Sequence, residues 1–275
     1  MPAQTLRELV AAYLAADGAA LYGSTGINQG SNGSTAFWLL EVINAVTGNL
    51  DRRGGSLMGQ GIVDYAKATA NADAKVFRSR IGNTPSSLGA LPTALLADEI
   101  LVPGPDQVRA MFVISGNPLL SGTNSARMEQ AFRQLELRVS IDLVRNETAE
   151  LADYILPGTH FAERPDLLFS FFTFSGLMAE PWIQYTERMV APPGEAREES
   201  WILARLAAAC GAPLFGSRLL QAVLDAGELA RKLPLLGSRL KPAPDRVLDL
   251  ILRVAKFGGA RGLRKFPHGK RLPRN

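Results

Sequence analysis

The sequence predicts an α/β fold: a mainly parallel sheet with helices on both faces. Three observations support this. Strand and helix patterns alternate through the middle of the chain, the strands there are uniformly apolar, and polar loops follow each strand. The 275 residues suffice for one large domain or two modest ones, and 47% hydrophobic against 20% charged is an ordinary globular balance.

Leu6, Leu9, Val10, Tyr13 and Leu14 recur at helical spacing and predict a first helix. Thr5 and Glu8 have capping-box spacing at its start, and Asp17-Gly18 supplies a stop. Ala19–Gly23 is an apolar run short enough for a buried strand. A Gly-, Ser- and Asn-rich loop follows, then a helix over 34–47. Residues 51–105 read as an irregular cover with one short helix, Thr93–Ile100. Met111–Ile114 is the next strand, followed by a helix over Ser125–Leu135 and a strand over Leu137–Ile141 that ends in Asp142. A short helix, Glu147–Leu151, leads to the strand Tyr154–Leu156. Leu167–Phe174 is aromatic-rich, Trp182–Glu187 reads as an edge strand, and helices are expected over 198–210 and 245–256. The expected domains are 1–50, part of an α/β domain; 51–105, the cover; 106–215, an α/β cofactor-binding domain; and 216–275, a helical extension with a basic tail.

The formal charge of +4 hides an asymmetry. Eight of the 30 basic residues and none of the 26 acidic ones lie after Leu250, so the body is acidic. Such a tail suits acidic partners, which gives an alternative reading as a non-catalytic α/β scaffold or interaction module. The single cysteine, Cys210, excludes an internal disulfide, an iron–sulfur cluster held by this chain alone and a thiolate zinc site. It ends an apolar helix pattern and is expected to be buried. No apolar run is long enough to span a bilayer and no signal-peptide core opens the chain. The expected location is cytoplasmic, unless a longer parent carried a leader.

In an open α/β sheet, ligands sit beyond the carboxyl ends of the strands. Four loops are expected there: Gly23–Gly33, Ser115–Thr123, Asp142–Thr148 and Pro157–Asp166. Their glycines let backbone approach phosphate, their amides favour anions, and Asn and Asp side chains can read a purine edge. Neither G-x-G-x-x-G nor a P-loop nor G-x-S-x-G is present. His160 is read as a wall of this cleft and His268 as solvent-facing.

Five ordered blocks go further. They are Gly26-Ile27-Asn28-Gln29 with Gly33; Thr47-Gly48-Asn49-Leu50 through Gly54-Gly55; Ser115-Gly116-Asn117-Pro118; Asp142 with Glu147-Thr148-Ala149, Ala152 to Pro157 and Glu163; and Pro193 to Arg197 before Trp201. Together they resemble the molybdopterin oxidoreductase family of DMSO reductase, periplasmic nitrate reductase and formate dehydrogenase. By position, the resemblance implies contacts to bis-(molybdopterin guanine dinucleotide) at Thr25, Gln29, Asn117, Ile141, Asp142, Arg164 and Glu199. Thr25 and Glu199 depart from the Met and Asp of some relatives. Asp142 could instead cap the following helix, and Asn117 could hold its own turn.

The resemblance implies the central α/β domains of a molybdenum enzyme that carries out two-electron redox only when complete. The chain is expected to be an internal portion lacking the N-terminal Fe–S and molybdenum-ligand region and the C-terminal β-barrel. Separate chains would supply those parts. No catalytic or metal-ligating residue, no Fe–S cluster and no specific nucleic-acid binding are assigned to this chain.

Overall fold

The computed structural model describes residues 2–59, 76–87, 89–167, 182–231, 233, 243–254 and 256–272. The chain divides into a unit of residues 1–65, 170–182 and 271–275 and a unit of residues 66–169 and 183–270.

In the first unit, helix α1 spans Ala3–Ala15 and α2 spans Gly33–Val46. Pro2 precedes α1 with φ −62° and ψ 141°, so the helix starts before Thr5 and the expected capping box does not form. Gln4 Nε2 donates to Glu8 Oε1 (2.9 Å) instead. Gly18 has φ +96°, and a Cβ there would lie 2.8 Å from the Gly54 carbonyl carbon. Only glycine fits this close crossing. The strand expected over Ala19–Gly23 is absent, and Tyr22 is 88% exposed. An apolar run without a ladder partner has no reason to become a strand. Side chains take its amides: Ala19 N donates to Asn49 Oδ1 (3.2 Å), and Leu21 N to Asn44 Oδ1 (3.5 Å). Buried Asn49 also donates from Nδ2 to Thr47 Oγ1 (3.1 Å), so the Thr47-Gly48-Asn49 turn holds this unit together.

The second unit opens with two short antiparallel bridges and α3, Leu96–Leu101, which overlaps the helix expected over Thr93–Ile100 and is preceded by a 3-10 turn at Thr93–Leu95. Strands β1 (Ala110–Ile114), β2 (Leu137–Asp142) and β3 (Tyr154–Pro157) form a parallel sheet in that order, with Ile114 beside Ile141 and Asp142 beside Pro157. The chain adds a short helix that the sequence reading missed, α4 (Pro118–Ser121), then α5 (Ser125–Gln134) and α6 (Glu147–Glu150). Ile100, Met128, Phe132 and Leu135 form a core against Met111 and Val113 on one face of the sheet. On the other face Val139 and Ile141 meet Ile202 of α7, Glu199–Ala209. Each fully buried side chain of this size contributes about 1.5–3 kcal/mol. Alternation at β1 leaves Phe112 and Ile114 exposed, so the strands are not all covered on two faces; β2 is, although it buries the polar Ser140 between Val139 and Ile141.

Beyond the sheet, β4 (Asp166–Leu167) pairs antiparallel with β6 (Tyr185–Thr186), and β5 is Trp182–Ile183. The expected edge strand is therefore two short pieces, and most of the aromatic stretch Leu167–Phe174 lies outside the described residues. Helices α8 (Arg218–Arg231), α9 (Ala243–Val254) and α10 (Gly259–Leu263) follow, with β7 at Lys270–Arg271. Within the described residues the basic segment thus carries helix and strand of its own. Asp249 Oδ1 accepts the Ala260 amide (2.8 Å), and Ala260 and Leu263 are buried. Cys210 is exposed at the end of α7, because the C-terminal turn lies beyond the part packed on the sheet. Among the described residues, no helix is long and apolar enough to cross a membrane.

Candidate functional site

Parallel pairing aims the carboxyl ends of β1, β2 and β3 in one direction, so the segments 115–117, 143–146 and 158–164 leave from one edge. Main-chain bonds join these exits. Ser115 N donates to Ile141 O (2.9 Å) and Gly158 N donates to Asp142 O (3.0 Å). Ser115 adopts φ +49°, a conformation that non-glycine residues hold only when the surroundings impose it.

Asn117 follows directly. Its Nδ2 donates to Glu147 Oε2 (2.5 Å), and its Oδ1 accepts from Thr148 Oγ1 (2.8 Å). Glu147's own backbone amide, and then Asn117, hold its carboxyl below the usual range. Asp142 Oδ1 accepts from the amides of Leu143 (2.7 Å) and Val144 (3.4 Å), and its Oδ2 accepts from Asn146 Nδ2 (3.1 Å). Asn146, not Asp142, caps α6: its Oδ1 accepts from Ala149 N (3.0 Å). Asn146 Nδ2 also reaches Gly116 O (3.4 Å), tying the first exit to the second.

The third exit brings Arg164 onto Glu199, the first residue of α7, as a partly buried ion pair. A Cβ on Gly158 would lie at ordinary contact distance from Glu199 Oε1 (3.4 Å) and the Asp142 carbonyl carbon (3.7 Å), so the three segments meet at this position. Ile141 is fully buried, its side chain in the core and its carbonyl occupied by Ser115. His160 does not stand as a free wall residue. Its Nδ1 accepts from Ala162 N (3.3 Å) while Glu163 Oε2 accepts from His160 N (3.0 Å), a capping box on its own short turn. His268 is exposed, as expected.

The sheet edge thus gathers five of the candidate residues: Asn117, Ile141, Asp142, Arg164 and Glu199. Thr25 and Gln29 belong to the first unit, exposed around the 3-10 turn Thr25–Asn28, and the Gly23–Gly33 loop follows no strand. Sequence reasoning missed the bridging role of Asn146 and the pairing of Asn117 with Glu147. A cap residue directly before Glu147-Thr148-Ala149 was the available signal for the first.

Side chains at this edge are mostly spent on holding turns. The amides of Gly116 and Asn117, by contrast, find no acceptor among the described residues. A Cβ on Gly116 would have no neighbour nearer than 3.7 Å, so backbone can approach a ligand there. Free amides, a glycine and an adjacent Asp carboxylate with an unused lone pair on Oδ2 fit a group carrying phosphate and a purine edge. Among the described residues, no three His, Cys, Asp or Glu side chains gather as a metal site.

Comparison with known proteins is consistent with this chemistry. The family model described as Molybdopterin oxidoreductase matches residues 6–209. The chain is similar to "Probable oxidoreductase YyaE" of Bacillus subtilis, 29% identical over 186 residues that cover 68% of this chain and 26% of that protein. It is similar to trimethylamine-N-oxide reductase of Haemophilus influenzae, 25% identical over 77% of this chain and 27% of the relative. Among solved structures, acetylene hydratase from Pelobacter acetylenicus superposes with a TM-score of 0.60 at 21% identity, covering 77% of this chain and 32% of that one. That likeness shows a shared fold. The chain spans about a quarter to a third of the length of these proteins.

Proposed function

Because the chain belongs to the molybdopterin oxidoreductase family, we infer that it contributes part of the binding surface for a molybdopterin guanine dinucleotide pair. Membership implies a molybdenum–pterin cofactor; the guanine dinucleotide form and the residues that hold it are this proposal. The observation that supports it most is the sheet edge, where free amides at Gly116 and Asn117 stand near the Asp142 carboxylate through Asn146. When bound, the group would supply two-electron redox chemistry.

The chain's own residues bind and orient. The Gly116 and Asn117 amides would take phosphate oxygens, Asp142 would accept from the donors of a guanine edge, and Arg164, held by Glu199, would offset negative charge. Ile141 can act only through the position of its backbone, and Thr25 and Gln29 are proposed as contacts on the resemblance alone. Turnover is proposed to require polypeptide beyond these 275 residues, matching the remaining length of the relatives.

The test is native mass spectrometry of the chain produced in a host that makes the dinucleotide cofactor, alone and with co-purifying polypeptides. Bound pterin dinucleotide is expected, with retention falling roughly tenfold in Asp142→Asn and Arg164→Gln. No pterin in any preparation, or retention unchanged in both variants, would overturn the proposal.

A further inference from the structure

Helix α9 uses only one of its sides against the rest of its unit. On that side Leu252 is buried, Asp249 Oδ1 accepts the Ala260 amide of α10 (2.8 Å), and Arg246 Nη2 donates to the Leu224 carbonyl of α8 (3.4 Å). Val247, Leu250, Ile251 and Val254 recur at i, i+3, i+4 and i+7 and so share the other side. Leu250, Ile251 and Val254 are exposed, Val254 by 75%. Single exposed apolar residues need no partner, but a stripe along one helix calls for one.

The chain that follows the stripe is basic. Lys256 N donates to Arg253 O (3.0 Å) and Phe257 N to Leu252 O (2.8 Å), closing the helix with Lys256 at φ +62°. Lys256 is exposed, and α10, packed on α9, adds exposed Arg261, Arg264 and Lys265. Arg264 pairs with Glu187 and Arg253 with Asp249 (2.7 Å), whereas Lys256, Arg261 and Lys265 form no ion pair among the described residues. Phe266 is also exposed, with Lys270 Nζ 5.2 Å from its ring centre. No acidic residue follows Asp249, and both acids of α9 turn inward. Asp245 Oδ1 and Glu198 Oε1 share Arg188 Nη2 (3.4 and 3.0 Å). Burial, reinforced by Asp245 and opposed by Arg188, pushes Glu198 up to about 7, so this inward cluster adds little net charge near neutrality to offset the cations.

We propose that the face made by α9 and α10 is a docking surface for an anionic lipid bilayer, bound peripherally. The stripe from Val247 to Val254 would lie at the acyl boundary, with Lys256, Arg261 and Lys265 among the headgroups. Charge complementarity selects this occupant: the face offers cations and no acid, and a headgroup layer offers anions without fixed positions. Shallow insertion of valine, leucine and isoleucine from one helix surface is the way an amphipathic helix lies in a membrane interface. The stems of Lys256 and Lys265 can follow the apolar layer while their ammonium groups stay in water. The family match ends at residue 209, so this face lies outside the part of the chain that the family model covers.

Flotation of the full chain with lipid vesicles at neutral pH and low salt tests this. Vesicles of equal parts phosphatidylglycerol and phosphatidylcholine are expected to carry the chain, and vesicles of phosphatidylcholine alone to leave it behind. Lys256→Gln combined with Lys265→Gln should weaken partitioning by roughly twentyfold, at about fivefold per charge. Ile251→Ser combined with Val254→Ser should weaken it by roughly tenfold through lost apolar insertion. All four side chains are exposed, and circular dichroism checks that each variant is folded. Arg109→Gln combined with Arg133→Gln removes as many charges from exposed positions elsewhere in the unit and should leave partitioning unchanged. No partitioning of the folded wild type onto the anionic vesicles would overturn the proposal. Equal partitioning onto both kinds of vesicle, or an equal loss in the Arg109 and Arg133 variant, would do the same. Retention on immobilised polyglutamate without any partitioning would overturn it too, by making the partner an acidic polypeptide.

Discussion

Asp142 spends its carboxylate close to home, its Oδ1 accepting from Leu143 and Val144 and its Oδ2 from Asn146, yet Oδ2 keeps a lone pair for a ligand. The two roles separate in Asp142→Asn. One amide atom replaces an oxygen, so a donor faces the Asn146 or Leu143 donor and the turn loses a bond. The variant is expected to lose about 1–2 kcal/mol, read as a lower denaturation midpoint without a change in slope. Glu198 makes a prediction of opposite origin. Its carboxyl titrates near 4.5 when unfolded and about 7 when folded, so between those values the folded chain holds a proton that the unfolded chain releases. Its contribution is therefore full below about pH 4.5 and is lost as pH rises through about 7. Discounted for partial solvent screening, this amounts to about 1–2 kcal/mol between pH 5 and 8. Denaturation midpoints of wild type and Glu198→Gln across that range should differ by this slope, and parallel curves would show that Glu198 carries none of it.

At the scale of elements, what could be read ahead was what depends on neighbours in sequence. The strands Met111–Ile114, Leu137–Ile141 and Tyr154–Leu156 were legible because each is short, rich in apolar residues (alternating with Arg138 and Ser140 in the second) and closed by turn residues, and the helices over 125–135 and 198–210 because their periodicity is local. Ala19–Gly23 has the same apolar run, but a strand needs a partner that sequence does not show. Cys210 sits on an apolar helix yet outside its packed part, and only the contact with β2 and β3 reveals where that part ends. The site was legible as a set of loops; the spending of Asn117 and Asp142 on turns was not, because their partners lie across three-dimensional contacts. β2 is the element on which both faces depend. Ile141→Ala, at a fully buried position, should cost about 2–5 kcal/mol by chemical denaturation. Gly18→Ala in the first unit should cost at least about 1 kcal/mol, since it forces a side chain into φ +96° and against Gly54. Amide exchange would show that loss in α1 and α2, and unchanged protection there would contradict the close crossing.

For the whole molecule, the question is how a chain covering about a quarter to a third of its relatives relates to their chemistry. The family match runs from residue 6 to 209 and so includes both the Gly26–Gly33 loop of the first unit and the sheet edge of the second. A dinucleotide cofactor pair is large, and its binding energy must be assembled from many separate contacts, none of which dominates. A surface that supplies only some of them should hold the cofactor weakly, because each missing charge-assisted contact lowers affinity by roughly tenfold or more. The purified 275-residue chain is therefore expected to show no molybdenum-dependent turnover with formate or with N-oxide and sulfoxide acceptors. Supplying polypeptide that corresponds to the rest of the relatives' length should raise pterin retention first and turnover with it. Stoichiometric molybdenum and turnover in the chain alone would mean that these residues are sufficient, and the proposed division of the binding surface would fall.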